Sequence, residues 1–135
     1  MRNHVTIIRV LLVDDNEQML ADLSAELSDE FEIAGTAENG EEAVREVLRL
    51  DPDVLVLDLN MPVMNGLQVA SLLREKHPRT KILFLTIHEE PEYISAAFCA
   101  GALAYVTKRH LASDLRLGIR EAYDGREFLS PSLQK

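Results

Sequence analysis

Five times along this chain a short apolar run rich in branched side chains stops at a polar residue, then gives way to apolar residues at helical spacing. Such strand and helix alternation leaves few ways to bury every apolar face. The economical one is a parallel sheet with right-handed crossovers and helices on both faces. The predicted strands cover residues 7–13, 31–36, 54–57, 81–85 and 103–107. For five such units the flavodoxin-like strand order 2-1-3-4-5 is the natural arrangement. The predicted class is therefore α/β, with a five-stranded parallel sheet.

The intervening helices carry their own start and stop signals. Asn16 offers a cap for a helix over about residues 17–29, with Met19, Leu20, Leu23 and Leu27 on one face. Asn39 with Glu42 resembles a capping box, followed by a stripe of Ala43, Val44, Val47 and Leu48, and Asp51 and Pro52 close that helix. Asn65 and Gly66 open the third helix, which has Leu67, Ala70 and Leu73 on one face and ends near His77 and Pro78. Pro91 begins the fourth, with Ile94, Ala97 and Phe98 inward and Gly101 as its stop. Leu111, Leu115, Gly118, Ile119 and Ala122 mark the last, and Gly125 ends it. Gly118 sits where alanine would favour the helix by about 1 kcal/mol, so a close approach to the sheet is expected there. The second strand is interrupted by Glu32 and Gly35, as suits an edge.

Composition excludes several classes. The 135 residues are one domain's worth, and a net charge of -9 argues against this chain itself gripping a nucleic-acid backbone. Cys99 is alone, so no internal disulfide is expected. The opening MRNHVTIIRV lacks a secretory pattern, and no apolar run approaches a membrane span. A cytoplasmic setting without membrane contact is the expectation. His4, His77 and His110 read as solvated surface residues, and Cys99 as a small buried hydrophobe.

The strand ends hold the chemistry. The first strand stops at Asp14 and Asp15, the third at Asp58, the fourth at Thr86 and the fifth at Lys108. Asp58 alone reads as a turn cap before Pro62. In company the reading changes, because the order 2-1-3-4-5 gathers the carboxyl ends of strands one, three, four and five around one crevice. Crowded carboxylates hold protons more tightly unless positive charge is nearby. Lys108 supplies some, and oxygen-only donors favour Mg²⁺, or the similar Mn²⁺, as a further source.

Read in order, VDDN at Asp14 and Asp15, DLNMPVMNG at Asp58, LTIHEE at Thr86 and AYVTK at Lys108 resemble the receiver domain of two-component response regulators over essentially the whole chain. That resemblance implies the CheY-like version of the flavodoxin-like fold. Asp58 would accept a phosphoryl group from a sensor histidine kinase, in the manner of an activated carboxylate nucleophile. Asp15, Asp58 and the backbone carbonyl of Asn60 would bind the metal directly, and Asp14 through a water. Lys108 would pair with the phosphoryl group. Thr86 and Tyr105 match the family's switch pair, and Asn60 and His88 the positions that tune phosphoryl lifetime. Taken without the family, Tyr105 reads as a half-buried strand aromatic and Thr86 as an ordinary strand-end hydroxyl. Arg109 follows Lys108 where many receivers carry proline in a cis peptide.

The stretch DLRLGIREAYDGREFLSPSLQ resembles the last receiver helix and linker start of the NarL/FixJ subfamily, in which a helix-turn-helix domain follows. The expected organisation is a receiver over residues 1–125 and an irregular polar tail or linker start over 126–135, with DNA reached only through a C-terminal domain absent from this chain. Homodimerisation on phosphorylation fits that subfamily, and a stand-alone receiver signalling by protein contact is the alternative. A receiver of either kind is no enzyme beyond its own phosphorylation and dephosphorylation. Two rivals fit less well. A haloacid-dehalogenase-type aspartyl phosphatase would place its nucleophile on the first strand with a second acid two positions later. A flavodoxin-like FMN carrier would want a small-residue phosphate loop where Asp14, Asp15, Asn16 and Glu17 stand.

Overall fold

The computed structural model describes residues 6–77 and 79–134; His4 and Pro78 lie outside the described residues. Its strands are β1 (Arg9–Val13), β2 (Glu32–Ala37), β3 (Val54–Leu57), β4 (Lys81–Thr86), β5 (Ala104–Thr107) and β6 (Phe128–Leu129). The helices are α1 (Glu17–Leu27), α2 (Gly40–Leu50), α3 (Gly66–Lys76), α4 (Pro91–Cys99) and α5 (Leu111–Tyr123), with single 3-10 turns at Lys108–His110 and Pro131–Leu133. All neighbouring strands pair in parallel, in the order β2-β1-β3-β4-β5-β6.

Side chains alternate along each strand and so build two cores. Leu11, Val13, Leu55, Leu57, Phe84 and Tyr105 face α2, α3 and α4, against Val47, Leu73 and Ala97. Val10, Leu12, Val56, Leu83, Leu85 and Val106 face α1 and α5, against Leu23, Leu27, Leu115 and Ile119. All four residues of β3 are buried, as its uncharged run implied for a strand covered on both sides.

The capping residues act where their chemistry suggested. The side-chain oxygens of Asn16, Asn39 and Asn65 accept from the backbone N–H groups of Met19, Glu42 and Gln68 at 3.0, 2.8 and 2.9 Å. Only Asn65 completes a capping box, with Gln68; the Glu42 carboxylate accepts from Glu38 N–H instead of from Asn39. Asp51 ends α2 in the left-handed region at φ 51°. β2 is indeed an edge, and the pairing register slips between Val10 and Leu11, opposite Ile33 and Gly35. Gly118 meets the expected close approach, since a Cβ there would lie 3.0 Å from both Leu83 Cδ1 and Val106 Cγ2.

Several further readings are corrected. The sheet has six strands among the described residues, because the tail is not irregular: Phe128 and Leu129 pair with Ala104 and Tyr105. Two apolar residues in a polar segment give too short a period to recognise as a strand, yet they extend the β5 edge. Cys99 is exposed, because Ala97 alone on α4 is buried and a residue two positions on points elsewhere. Leu48 is half exposed, outside the stripe of Ala43 and Val47. His77 is half-buried, with Nε2 2.6 Å from Asp51 Oδ1, and His110 is half-buried too.

Ser130 locks the tail in place. Fully buried, it donates its N–H to Tyr105 O at 3.0 Å and accepts from Thr107 N–H on Oγ at 3.1 Å. Ser130→Ala would leave the Thr107 N–H buried without an acceptor, at a cost of about 1–3 kcal/mol. Thermal unfolding should therefore begin from a midpoint about 3–10 °C lower. An unchanged midpoint would show that the Ser130 hydroxyl adds nothing to the sheet edge.

Candidate functional site

The pairing register sets the site. Val13 lies opposite Leu57, Leu57 opposite Phe84, and Thr86 opposite Thr107, so the residues just beyond β1, β3 and β5 emerge along one edge of the sheet. Asp14 donates its N–H to Ala37 O at 3.1 Å and Asp58 its N–H to Val13 O at 3.3 Å, which extends the ladder through both acids. Gly66 then lets the start of α3 press against this turn. A Cβ there would fall 2.4 Å from the Asp58 carbonyl oxygen.

Asp14, Asp15 and Asp58 each bring a carboxylate oxygen within 4.8 Å of the others, with Asp14 and Asp58 buried and Asp15 exposed. Lys108 Nζ donates to Asp14 Oδ2 at 2.8 Å and to Asp58 Oδ2 at 3.1 Å. The remaining oxygens of the two buried acids accept from the chain: Asp14 Oδ1 from Asn16 N–H at 2.9 Å, Asp58 Oδ1 from Asn60 N–H at 3.2 Å. Burial pushes the Asp58 carboxyl above its ordinary range, and the pull of Lys108 and the Asn60 N–H does not fully offset it. Burial also disfavours the Lys108 ammonium, but its bond to Asp14 and the charge of Asp58 outweigh that and raise it. One ammonium thus serves two carboxylates. The donor set is all oxygen, carries excess negative charge and has its exposed member at the mouth, so it fits a hard divalent cation such as Mg²⁺ or Mn²⁺.

The other expected residues lie beside this pocket, linked to it through Asn60, whose N–H donates to Asp58 Oδ1. Thr86 is fully buried, and its hydroxyl accepts from His88 N–H at 3.3 Å. Tyr105 is fully buried rather than half-buried, and its hydroxyl donates to His88 O at 2.8 Å. Burial raises its phenol above the usual range. The Asn60 amide is hydrogen-bonded to His88 Nε2, and the His88 ring stacks on Tyr93 with centroids 4.2 Å apart. Among the described residues no peptide bond is cis, so Lys108 and Arg109 are joined in trans. One contact among three residues escaped the sequence reading. Glu89, Thr107 and Arg109 form a cluster beside Lys108, and its signal was opposite charges just past two strand ends that the topology aligns.

These shifts give a pH dependence. Asp58 binds its proton more tightly when folded, so as pH rises through the ordinary carboxylate range the unfolded chain ionises first and stability falls. In chelator, Asp58→Asn should raise the unfolding midpoint by a few degrees at neutral pH. The gain should vanish in acid, below the unfolded carboxyl's pKa. A gain that is the same at both ends of a pH series of melting curves would contradict the burial penalty.

Residues 10–120 match the model of the response regulator receiver domain. The chain is 37% identical over 128 residues to the uncharacterized transcriptional regulatory protein YvfU of Bacillus subtilis (strain 168), covering 93% of this chain and 64% of that protein. It is 33% identical over 133 residues to the response regulator GacA of Pseudomonas viridiflava, covering 93% and 60%. It thus spans less than two thirds of the length of these curated relatives. A solved LuxR-family two-component response regulator from Aurantimonas sp. SI85-9A1 superposes with a TM-score of 0.90 at 28% identity, covering 95% of this chain and 93% of that one. By its match across the sheet and helices, and by these relatives, the chain belongs to the receiver domains of two-component response regulators, of the LuxR/NarL type.

Proposed function

We propose that this receiver takes a phosphoryl group from the phosphohistidine of a sensor histidine kinase onto Asp58, in a reaction dependent on Mg²⁺ or Mn²⁺. The observation that supports it most is the meeting of Asp14, Asp15 and Asp58 within 4.8 Å at a pocket where Lys108 reaches two of them. A carboxylate needs no base to act as nucleophile. An Asp58 oxygen attacks phosphorus while the P–N bond opens, and the bonding electrons leave with the imidazole, which takes up a proton. An acyl phosphate remains on Asp58.

Asp15, Asp58 and the Asn60 carbonyl would hold the cation directly, and Asp14 through a water. The cation's contribution is to neutralise charge on the phosphoryl oxygens. Lys108, already against Asp58, pairs with one of those oxygens. The Thr86 hydroxyl turns to donate to another, which frees the His88 N–H it now accepts. Because Tyr105 holds the His88 carbonyl, the loop after β4 and the surface of α4, β5 and α5 move together. Asn60 and His88, bonded over the pocket, govern the approach of water and hence the lifetime of the phosphoryl group.

The output proposed is transcriptional. YvfU is named an uncharacterized transcriptional regulatory protein, and the chain spans 64% of it. DNA would be reached through a C-terminal domain outside the present chain, with homodimerisation following phosphorylation. The receiver unit is proposed over residues 1–125, with 126–135 leading towards that domain while bracing β5. The domain acts in the cytoplasm, and among the described residues no helix is long and apolar enough to cross a membrane.

Incubation with Mg²⁺ and a small phosphodonor should add one acid-stable, base-labile phosphoryl group, read by intact mass. Asp58→Ala should abolish it, and labelling that persists would defeat the assignment. Lys108→Ala should retain metal binding while the phosphodonor no longer changes oligomeric state in gel filtration. An unaltered response would remove Lys108 from the mechanism.

A further inference from the structure

Lys108 does its proposed work from an awkward place. It opens a single 3-10 turn, Lys108–His110, whose three residues are all basic and which feeds straight into the N-terminus of α5. Short 3-10 turns have poor hydrogen-bond geometry, and the positive end of a helix dipole disfavours cations. Left alone, this turn would fray, and the Lys108 ammonium on its four-carbon stem would lose its seat between Asp14 and Asp58.

A single carboxylate from another loop prevents this. Glu89, in the loop between β4 and α4, accepts from Thr107 Oγ1 at 2.7 Å and from Arg109 Nε and Nη2 at 3.0 and 2.7 Å. Thr107 Oγ1 accepts in turn from Arg109 N–H at 3.3 Å, which caps the turn. Both chain neighbours of Lys108 are thereby tied to one group. The guanidinium is gripped by two parallel bonds, a geometry that fixes direction as well as distance. The Thr107 hydroxyl and the Arg109 guanidinium hold the Glu89 carboxyl below its ordinary range, so the clamp is charged near neutral pH.

We infer that Glu89 and Arg109 are positioning residues for Lys108, a clamp that sets where the ammonium meets the phosphoryl group on Asp58. This rests on the reading of Asp58 as phosphoacceptor. The clamp also joins Lys108 to the loop carrying His88, so Lys108 and Thr86 report to one segment. Arg109 supplies by ion pairing the stiffness that the turn lacks on its own.

The test is a double-mutant cycle on the metal-loaded protein, with the rate of Asp58 labelling by acetyl phosphate as readout. Glu89→Ala should slow labelling about tenfold, as expected for a displaced catalytic group. In the Lys108→Ala background the same change should alter the rate by no more than about twofold, since nothing is left to position. Arg109→Lys keeps the charge but loses the fork, and should fall between wild type and Glu89→Ala. As a readout independent of turnover, the Lys108 side-chain ¹⁵Nζ signal in metal-free protein should be slow to exchange in wild type and broadened in Glu89→Ala. Equal slowing with and without Lys108, or unchanged labelling and an unchanged Nζ signal, would overturn the clamp. If wild type itself takes no label on Asp58, the phosphoacceptor reading fails instead. Should Glu89→Ala unfold, Arg109→Lys carries the same cycle.

Discussion

One ammonium between two buried carboxylates is the interaction on which this molecule's arrangement depends. Lys108 reaches Asp14 at 2.8 Å and Asp58 at 3.1 Å, and without it two nearly buried anions would face each other with little water to screen them. The compensation is incomplete, as the raised carboxyl of Asp58 records. A pocket left short of positive charge is suited to a divalent cation, which the proposed phosphoryl transfer would use. Stability and proposed function therefore pull in opposite directions at the same atoms.

The sheet makes this tension possible. Parallel pairing with Val13 opposite Leu57 brings two acids from distant parts of the chain out side by side, and β4 with β5 aligns Thr86 beside Thr107. The close seat of Gly66 under Asp58 and the bracing of β5 by Ser130 keep those ends from drifting. Behind the pocket, Thr86, His88 and Tyr105 form a chain of hydrogen bonds from the site to the interior of β5.

Much of this was legible in the sequence. Hydrophobic period placed β1, β3, β4 and β5 almost to the residue, and the alternation of elements gave the strand order around Asp58. Asp14, Asp15, Asp58 and Lys108 were found because each stands where an apolar run stops, a position that a buried strand leaves to a charged group only for a reason. What the sequence hid depended on tertiary context. The two residues of β6 acquire strand character only by lying against Ala104 and Tyr105. Cys99 looked apolar among apolar neighbours, but the buried face of α4 is narrow. Glu89 lies inside a quoted motif and Arg109 just past another, but neither was given a partner, and twenty positions separate the two ends of their ion pair.

The central claim is that acids from separate strands form one cation pocket around Asp58. A crystal grown with Mn²⁺ and measured for anomalous scattering tests it most directly. The predicted result is a single strong peak bonded to carboxylate oxygens of Asp15 and Asp58 and to the Asn60 carbonyl. No peak at saturating Mn²⁺, or one held by other carboxylates, would contradict the account.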